Sequence, residues 1–226
     1  MAPESKQRHH AGSPPVRLEE PRTRGSVIHW ARLYDLLTSI FGMGSRSAIR
    51  RLIVDRAEPR SGEHVLDVGC GTGTLALLAK GRVGAGGEVH GIDPSPEMIG
   101  VAREKAAKAA ADVRFQTGVI EDLPFPEGSF DLVLSSFMLH HLPDDLKRKG
   151  FAQIARVLKP GGRLLAVDLT GRGSLVWRLI SLVGHRLPDD YAERLSGMAG
   201  DTGLAPEVLE TEHRQYVFIH ARKAAG

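Results

Sequence analysis

The 226 residues suit one α/β domain with a decorated edge, and 42% apolar with 25% charged residues is ordinary for a soluble globular protein. A formal charge of +3 is too mild to argue for a nucleic-acid or membrane partner, and the single cysteine, Cys70, excludes an internal disulfide and fits a reducing compartment. No run approaches the roughly 18 apolar residues of a spanning helix, and the N-terminus lacks the pattern of a signal peptide, so the expected location is the cytoplasm.

Residues 1–25 mix proline, charge and small polar residues without helical spacing and predict a disordered tail. From 26 to 226 a single domain is expected. Val27, Trp30, Leu33, Tyr34, Leu37, Ile40 and Phe41 recur at three-and-four spacing and predict a helix over 26–41. A second helix is expected over 45–57. A regular alternation follows: strand 64–69, helix 74–81 ended by Gly81, strand 87–93, helix 96–110, strand 112–118, strand 130–137, helix 144–158 stopped by Lys-Pro-Gly-Gly at 159–162, and strand 163–169. Ser95 with Pro96 behind it is a good N-cap for the helix over 96–110. Strands alternating with helices imply βαβ units and a mostly parallel sheet, whose ligands bind at the carboxyl ends of the strands where the strand order switches. Residues 206–223 predict two short strands.

The stretch LDVGCGTGT, 66–74, places Gly69, Gly71 and Gly73 at alternate positions behind Asp67. A pyrophosphate-binding turn reads G-x-G-x-x-G instead. A carboxylate beside a pyrophosphate costs on the order of a few kcal/mol at about 4 Å, whereas beside an ammonium it gains a similar amount. The turn therefore suits a ligand with an amino group and little or no phosphate, and S-adenosylmethionine is such a ligand.

Four segments in order carry a resemblance: VLDVGCGTGTLA at 65–76, GIDPSPEMI at 91–99, GVIEDLPFPEGSFDLVLSSFMLHHLP at 118–143 and RVLKPGGRLLAVDL at 156–169. Over about residues 26–170 the protein resembles the class I S-adenosylmethionine-dependent methyltransferases, in the small-molecule branch similar to ubiquinone/menaquinone-biosynthesis C-methyltransferases. That resemblance implies a Rossmann-like three-layer α/β sandwich with a mostly parallel seven-stranded sheet and an antiparallel edge strand. It implies S-adenosyl-L-methionine as cofactor, S-adenosyl-L-homocysteine as product, and a small-molecule acceptor.

Roles follow by position. Asp93 ends the second strand, where a carboxylate accepts the ribose hydroxyls, and Pro94 and Met98 would flank the adenine. Where relatives carry an aspartate for the adenine amine this protein has Val119, which leaves the Ile120 amide and Glu121 or Asp122 as substitutes. Asp67, Gly69, Gly71 and Ser135 face the methionine end, and Cys70 fills space in the turn. Tyr34 covers the cofactor carboxylate or packs as a core aromatic. His140, His141 and Asp168 are the candidates for moving a proton, since methyl transfer from an activated sulfonium needs alignment and proton removal. No third metal ligand appears at a matching spacing.

The stretch GSLVWRLISLVG at 173–184 is apolar on all but one narrow stripe and predicts a helical lid insertion over about 171–200, above an apolar or aromatic acceptor. A dimer contact or a membrane-surface dock are its alternatives, so both monomer and homodimer stay open. Nucleic acid is an unsuited acceptor, because the fourth strand lacks the Asn/Asp-Pro-Pro-aromatic signature used on flipped bases. A non-catalytic S-adenosylmethionine-binding partner protein and a nucleotide-dependent oxidoreductase are the other readings of the whole sequence.

Overall fold

Along each central strand, successive side chains enter different cores. Val65, Leu132, Leu134, Leu165 and Val167 join one buried cluster, while their neighbours Leu66, Val133, Leu164 and Ala166 join another. Strands that are apolar on both faces must lie between two helical layers. The computed structural model describes residues 23–25, 45–170 and 187–226. The predicted helix over 26–41, Tyr34 within it, and the apolar stretch 173–184 lie outside the described residues.

In sequence order the elements are α1 (Ser45–Ala57), β1 (His64–Val68), α2 (Thr74–Val83), β2 (Glu88–Asp93), α3 (Pro96–Lys108), β3 (Arg114–Thr117), β4 (Phe130–Ser136), a single 3₁₀ turn (Leu139–His141), α4 (Asp144–Val157), β5 (Leu158–Leu169), α5 (Tyr191–Gly200), β6 (Leu204–Leu209) and β7 (Tyr216–Lys223). The sheet runs β3-β2-β1-β4-β5-β7-β6. Strands β1 to β5 pair in parallel, and β7 runs antiparallel to both β5 and β6. The antiparallel strand thus lies one place in from the edge, and β6 is the edge itself. Helices α1, α2 and α3 cover one face and α4 and α5 the other. The strand order reverses between β1 and β4, which opens the ligand crevice of such sheets beyond their carboxyl ends.

Several boundaries depart from the sequence pattern. Gly81 does not end α2. A helical glycine costs only about 1 kcal/mol, and continuing the helix buries Val83 completely. Gly84 ends it instead, with φ at 69° and its N–H on the Lys80 carbonyl. Helix α3 ends at Lys108, and Ala110 just beyond it has φ at 47°. The Lys-Pro-Gly-Gly segment is not a loop between helix and strand. Strand β5 starts at Leu158, directly after α4, and absorbs the segment with a register shift opposite Phe130 and Leu132. Residues 191–200, which the sequence pattern assigns to the lid insertion, form α5, which buries Tyr191, Leu195, Met198 and Ala199 in the body of the protein.

Two features anchor the frame. Ser95 caps α3 as expected, its hydroxyl accepting from Met98 N at 3.3 Å. The buried Arg163 donates to both carboxylate oxygens of Glu63, at 2.8 and 2.9 Å, and to the carbonyls of Ala57 and Glu58, joining the end of α1 to the sheet.

Candidate active site

The glycine turn leaves β1 in left-handed backbone, with φ at 71° for Gly69, 52° for Gly71 and 76° for Gly73. The amides of Gly69 and Cys70 both donate to the Ile92 carbonyl, at 2.8 and 3.0 Å, holding the turn against the end of β2. A Cβ on Gly73 would stand 2.6 Å from the Phe115 ring and 2.9 Å from the Ala102 methyl, whereas a Cβ on Gly71 would meet nothing within 4 Å. Gly73 therefore serves packing, and Gly71 leaves open space beside the turn. Gly73→Ala is expected to destabilise the fold by about 2–4 kcal/mol, from left-handed strain and overpacking together. Gly71→Ala is expected to cost about half that, from strain alone. Thermal unfolding midpoints decide it, and equal drops would contradict the division.

Asp93 supports the same turn. Its Oδ2 accepts from Gly71 N and its Oδ1 from Ser95 N, each at 2.9 Å. Burial raises its pKa above the usual carboxylate range. Asp67 is completely buried, and among the described residues neither carboxylate oxygen has a hydrogen-bond partner. Burial pushes it up to about 7, against the pull of the nearby Ala76 amide, which does not close a hydrogen bond. Two further buried atoms lack partners among the described residues, Glu121 Oε2 and Ser135 Oγ. The other Glu121 oxygen accepts from Thr23 Oγ1 at 2.7 Å. Met98 and Ile120 are buried, Ile120 in the core cluster beneath Gly150. Pro94 is half-buried. The Cys70 thiol is held well above its ordinary pKa by burial, and the side chain packs as a filler.

At the ends of β4 and β5 the structure separates two adjacent histidines. Asp168 is 1% exposed and accepts four hydrogen bonds. Its Oδ1 takes His140 Nδ1 at 2.5 Å and Leu169 N at 2.9 Å; its Oδ2 takes His140 N at 2.8 Å and Tyr191 OH at 3.0 Å. A carboxylate at Nδ1 requires that nitrogen to carry the proton, so in the neutral ring Nε2 keeps its lone pair. His141 makes no such bond. It is exposed on one side and its ring lies tilted against that of His140 on the other, with centroids 4.0 Å apart. Partial burial and the His140 ring hold its pKa below the ordinary imidazole value.

Three contributing residues carry no sequence signal. Tyr191 lies in a segment without a motif. Lys105 on α3 reaches the turn, donating to Thr72 Oγ1 at 2.8 Å. Phe137 adopts φ of 56° directly after β4, and its N–H donates to Val167 O at 2.8 Å. That strained residue turns the backbone so that His140 faces β5.

Known proteins share this sequence pattern and this fold. Residues 65–162 match the Methyltransf_25 methyltransferase-domain family. The protein is 38% identical over 181 residues to a demethylmenaquinone methyltransferase of Thermus thermophilus, covering 78% of its own length and 80% of that relative. It is 33% identical over 174 residues to the ubiquinone/menaquinone biosynthesis C-methyltransferase UbiE of Pasteurella multocida, covering 75% of its own length and 64% of that relative. The fold matches the crystal structure of an S-adenosylmethionine-dependent methyltransferase from Aquifex aeolicus, with a TM-score of 0.66, 22% identity, and coverage of 82% of this protein and 97% of the other. The protein thus belongs to the class I S-adenosylmethionine-dependent methyltransferases, in the branch of quinone-biosynthesis C-methyltransferases, and it is an enzyme that transfers a methyl group from S-adenosylmethionine to a small molecule.

Proposed function

We propose that this enzyme methylates a ring carbon of a reduced quinone, with the cofactor along the ends of β1 and β2 and the acceptor beside His140. One observation carries the cofactor's placement. Among the described residues, every buried side-chain polar atom without a partner belongs to Asp67, Glu121 or Ser135. Buried acceptors left unpaired cost about 1–3 kcal/mol each, so a ligand rich in donors fits them. S-adenosylmethionine has an ammonium for Asp67, an adenine amine for Glu121 and ribose hydroxyls for Asp93. The open side of Gly71 admits its amino-acid end close to the backbone, and Pro94 and Met98 flank the adenine ring.

The cofactor, when bound, supplies a methyl carbon on a sulfonium leaving group. The protein's own task is to align the acceptor and take its proton, and His140 Nε2 is the base for that step. The quinone assignment follows the relatives' substrates and the apolar character of 173–184. The test is incubation with trideuteromethyl S-adenosylmethionine and a reduced prenyl-naphthoquinone that lacks a ring methyl. The expected product carries the label on the ring carbon. Label on oxygen, or transfer only to an amine acceptor, would overturn the assignment.

Asp67 gives a pH-dependent check. In the ligand-free fold its proton is held up to about 7, whereas in the unfolded state it leaves near the ordinary aspartate value. The folded state therefore binds more protons in that window, and stability from this group falls as pH rises from about 4 to about 7. Asp67→Asn is expected to raise the unfolding midpoint of the free protein by several degrees at pH 8, and by less at pH 5. The same change is expected to weaken S-adenosylhomocysteine binding by about 10–100-fold, through loss of the ammonium contact. A free-protein midpoint that does not depend on this substitution would contradict the buried-acid account.

A further inference from the structure

Tyr191 donates to Asp168 Oδ2, the oxygen that also takes the His140 N–H, while the His140 ring meets Oδ1, and it lies on a helix that no motif marks. It is 4% exposed, and its phenol is the only O–H among the four donors to Asp168. We propose that Tyr191 is a positioning residue for the base: its hydroxyl completes the donor set that holds the Asp168 carboxylate in one orientation, and so sets the basicity of His140. The proposal rests on the reading of His140 as the base that serves methyl transfer.

A carboxylate has two oxygens, and each here accepts two hydrogen bonds. With all four in place it cannot rotate about its Cβ–Cγ bond without breaking two of them. Of the other three donors, two belong to His140, in the turn that is held, and one to Leu169, beside Asp168 in β5. Tyr191 alone comes from α5, an independent element. Its phenol stays protonated because burial, with Asp168 next to it, drives its pKa well up. Tyr191 is thus a donor at every working pH and never competes for the proton.

The surrounding charges reinforce the pairing. Lys147 Nζ on α4 lies 5.2 Å from the centre of the Tyr191 ring, and it donates to Asp144 Oδ1 at 2.9 Å. Asp144 also pairs with Arg194 of α5. A cation over the ring makes the phenol a stronger donor. The groups around Asp168 are therefore His140 and His141 from the 3₁₀ turn, Tyr191 and Arg194 from α5, and Lys147 and Asp144 from α4. Donation by the phenol draws negative charge off the carboxylate, which then stabilises an imidazolium at His140 less. Removing the hydroxyl leaves Asp168 with more charge for His140, so the imidazolium is favoured to higher pH.

The test uses Tyr191→Phe in the full-length protein. Nitrogen-correlated NMR of the histidine side chains in the free protein reads tautomer and titration without any acceptor. Wild type is expected to show His140 with a protonated Nδ1 and an unprotonated Nε2 at neutral pH. Tyr191→Phe is expected to keep that tautomer and to move the His140 titration upward by several tenths to about one pH unit. The acid limb of the kcat/KM profile for methyl transfer is expected to move by the same amount, with kcat at pH 7 reduced about 3–10-fold and KM for S-adenosylmethionine unchanged. A residue that merely packs would lower the unfolding midpoint and leave both profiles in place, and that result would overturn the proposal. Should Tyr191→Phe fold poorly, wild type decides alone: a slowly exchanging phenol proton coupled through space to the His140 Nδ1 proton is expected, and its absence is contrary. A titration shift without any effect on methyl-transfer pH dependence would instead count against His140 as the base, and would leave the Tyr191–Asp168–His140 linkage standing.

Discussion

Asp168→Asn is expected to lower kcat for methyl transfer by about 10²–10⁴-fold, the range that a positioned base contributes. The side chain keeps its shape, but one oxygen becomes an amide with two donors. If that amide faces the Oδ1 site, it meets His140 Nδ1 and Leu169 N, both of them donors. His140 must then shift its proton to Nε2, and the base is lost. If it faces the Oδ2 site, it meets the His140 amide and the Tyr191 hydroxyl. The hydroxyl can turn round and accept, but the amide cannot, and the turn that carries His140 loosens. Either way about 1–3 kcal/mol of stability is lost, while the glycine turn is untouched. S-adenosylhomocysteine affinity is therefore expected to stay within about threefold of wild type, equivalent to less than about 1 kcal/mol. Steady-state kinetics with calorimetric binding separates the two effects. An unchanged kcat would remove the His140–Asp168 pair from the reaction.

Asp93→Ala is expected to act on the other half of the site. Two hydrogen bonds from ribose hydroxyls to a carboxylate are worth about 1.5–3 kcal/mol each, so affinity for S-adenosylhomocysteine is expected to fall by about 10²–10⁴-fold. Part of that loss is indirect. Asp93 also accepts from Gly71 N and Ser95 N, and without it the turn and the α3 cap lose an acceptor. Asp93→Asn separates the contributions, because its remaining carbonyl can serve one of those amides. It is expected to bind more tightly than the alanine variant and more weakly than wild type. Asp93→Ala binding within about threefold of wild type would show that the ribose lies elsewhere.

The fold is legible in the sequence where local pattern and burial agree. Apolar runs such as VLDV at 65–68 and LVLS at 132–135 read as buried strands because both faces of a parallel sheet are covered, and they lie in β1 and β4. The glycine turn is legible because left-handed backbone at three alternate positions demands glycine. Gly81 misleads because glycine lowers helix propensity only modestly, and tertiary burial of Val83 outweighs it. The Lys-Pro-Gly-Gly segment misleads because its turn residues sit in a strand irregularity rather than a connection. In the proposed site, the places of Asp93, Asp67 and Ser135 near strand ends are legible in the sequence. His140 and His141 are not separable from sequence, since both lie in one turn. Only the approach of β5, bringing Asp168 to one ring and not the other, distinguishes them. Tyr191 is illegible because its role depends on a contact across 23 positions, made by a helix that presents no motif of its own.

The most direct measurement is a crystal structure with S-adenosylhomocysteine bound. The ribose hydroxyls are expected on Asp93, the amino group at Asp67 and the glycine turn, the adenine amine toward Glu121, and the thioether sulfur facing the Nε2 side of His140. A ligand seated with its ribose away from Asp93, or with its sulfur turned from His140, would contradict a site built from these two halves.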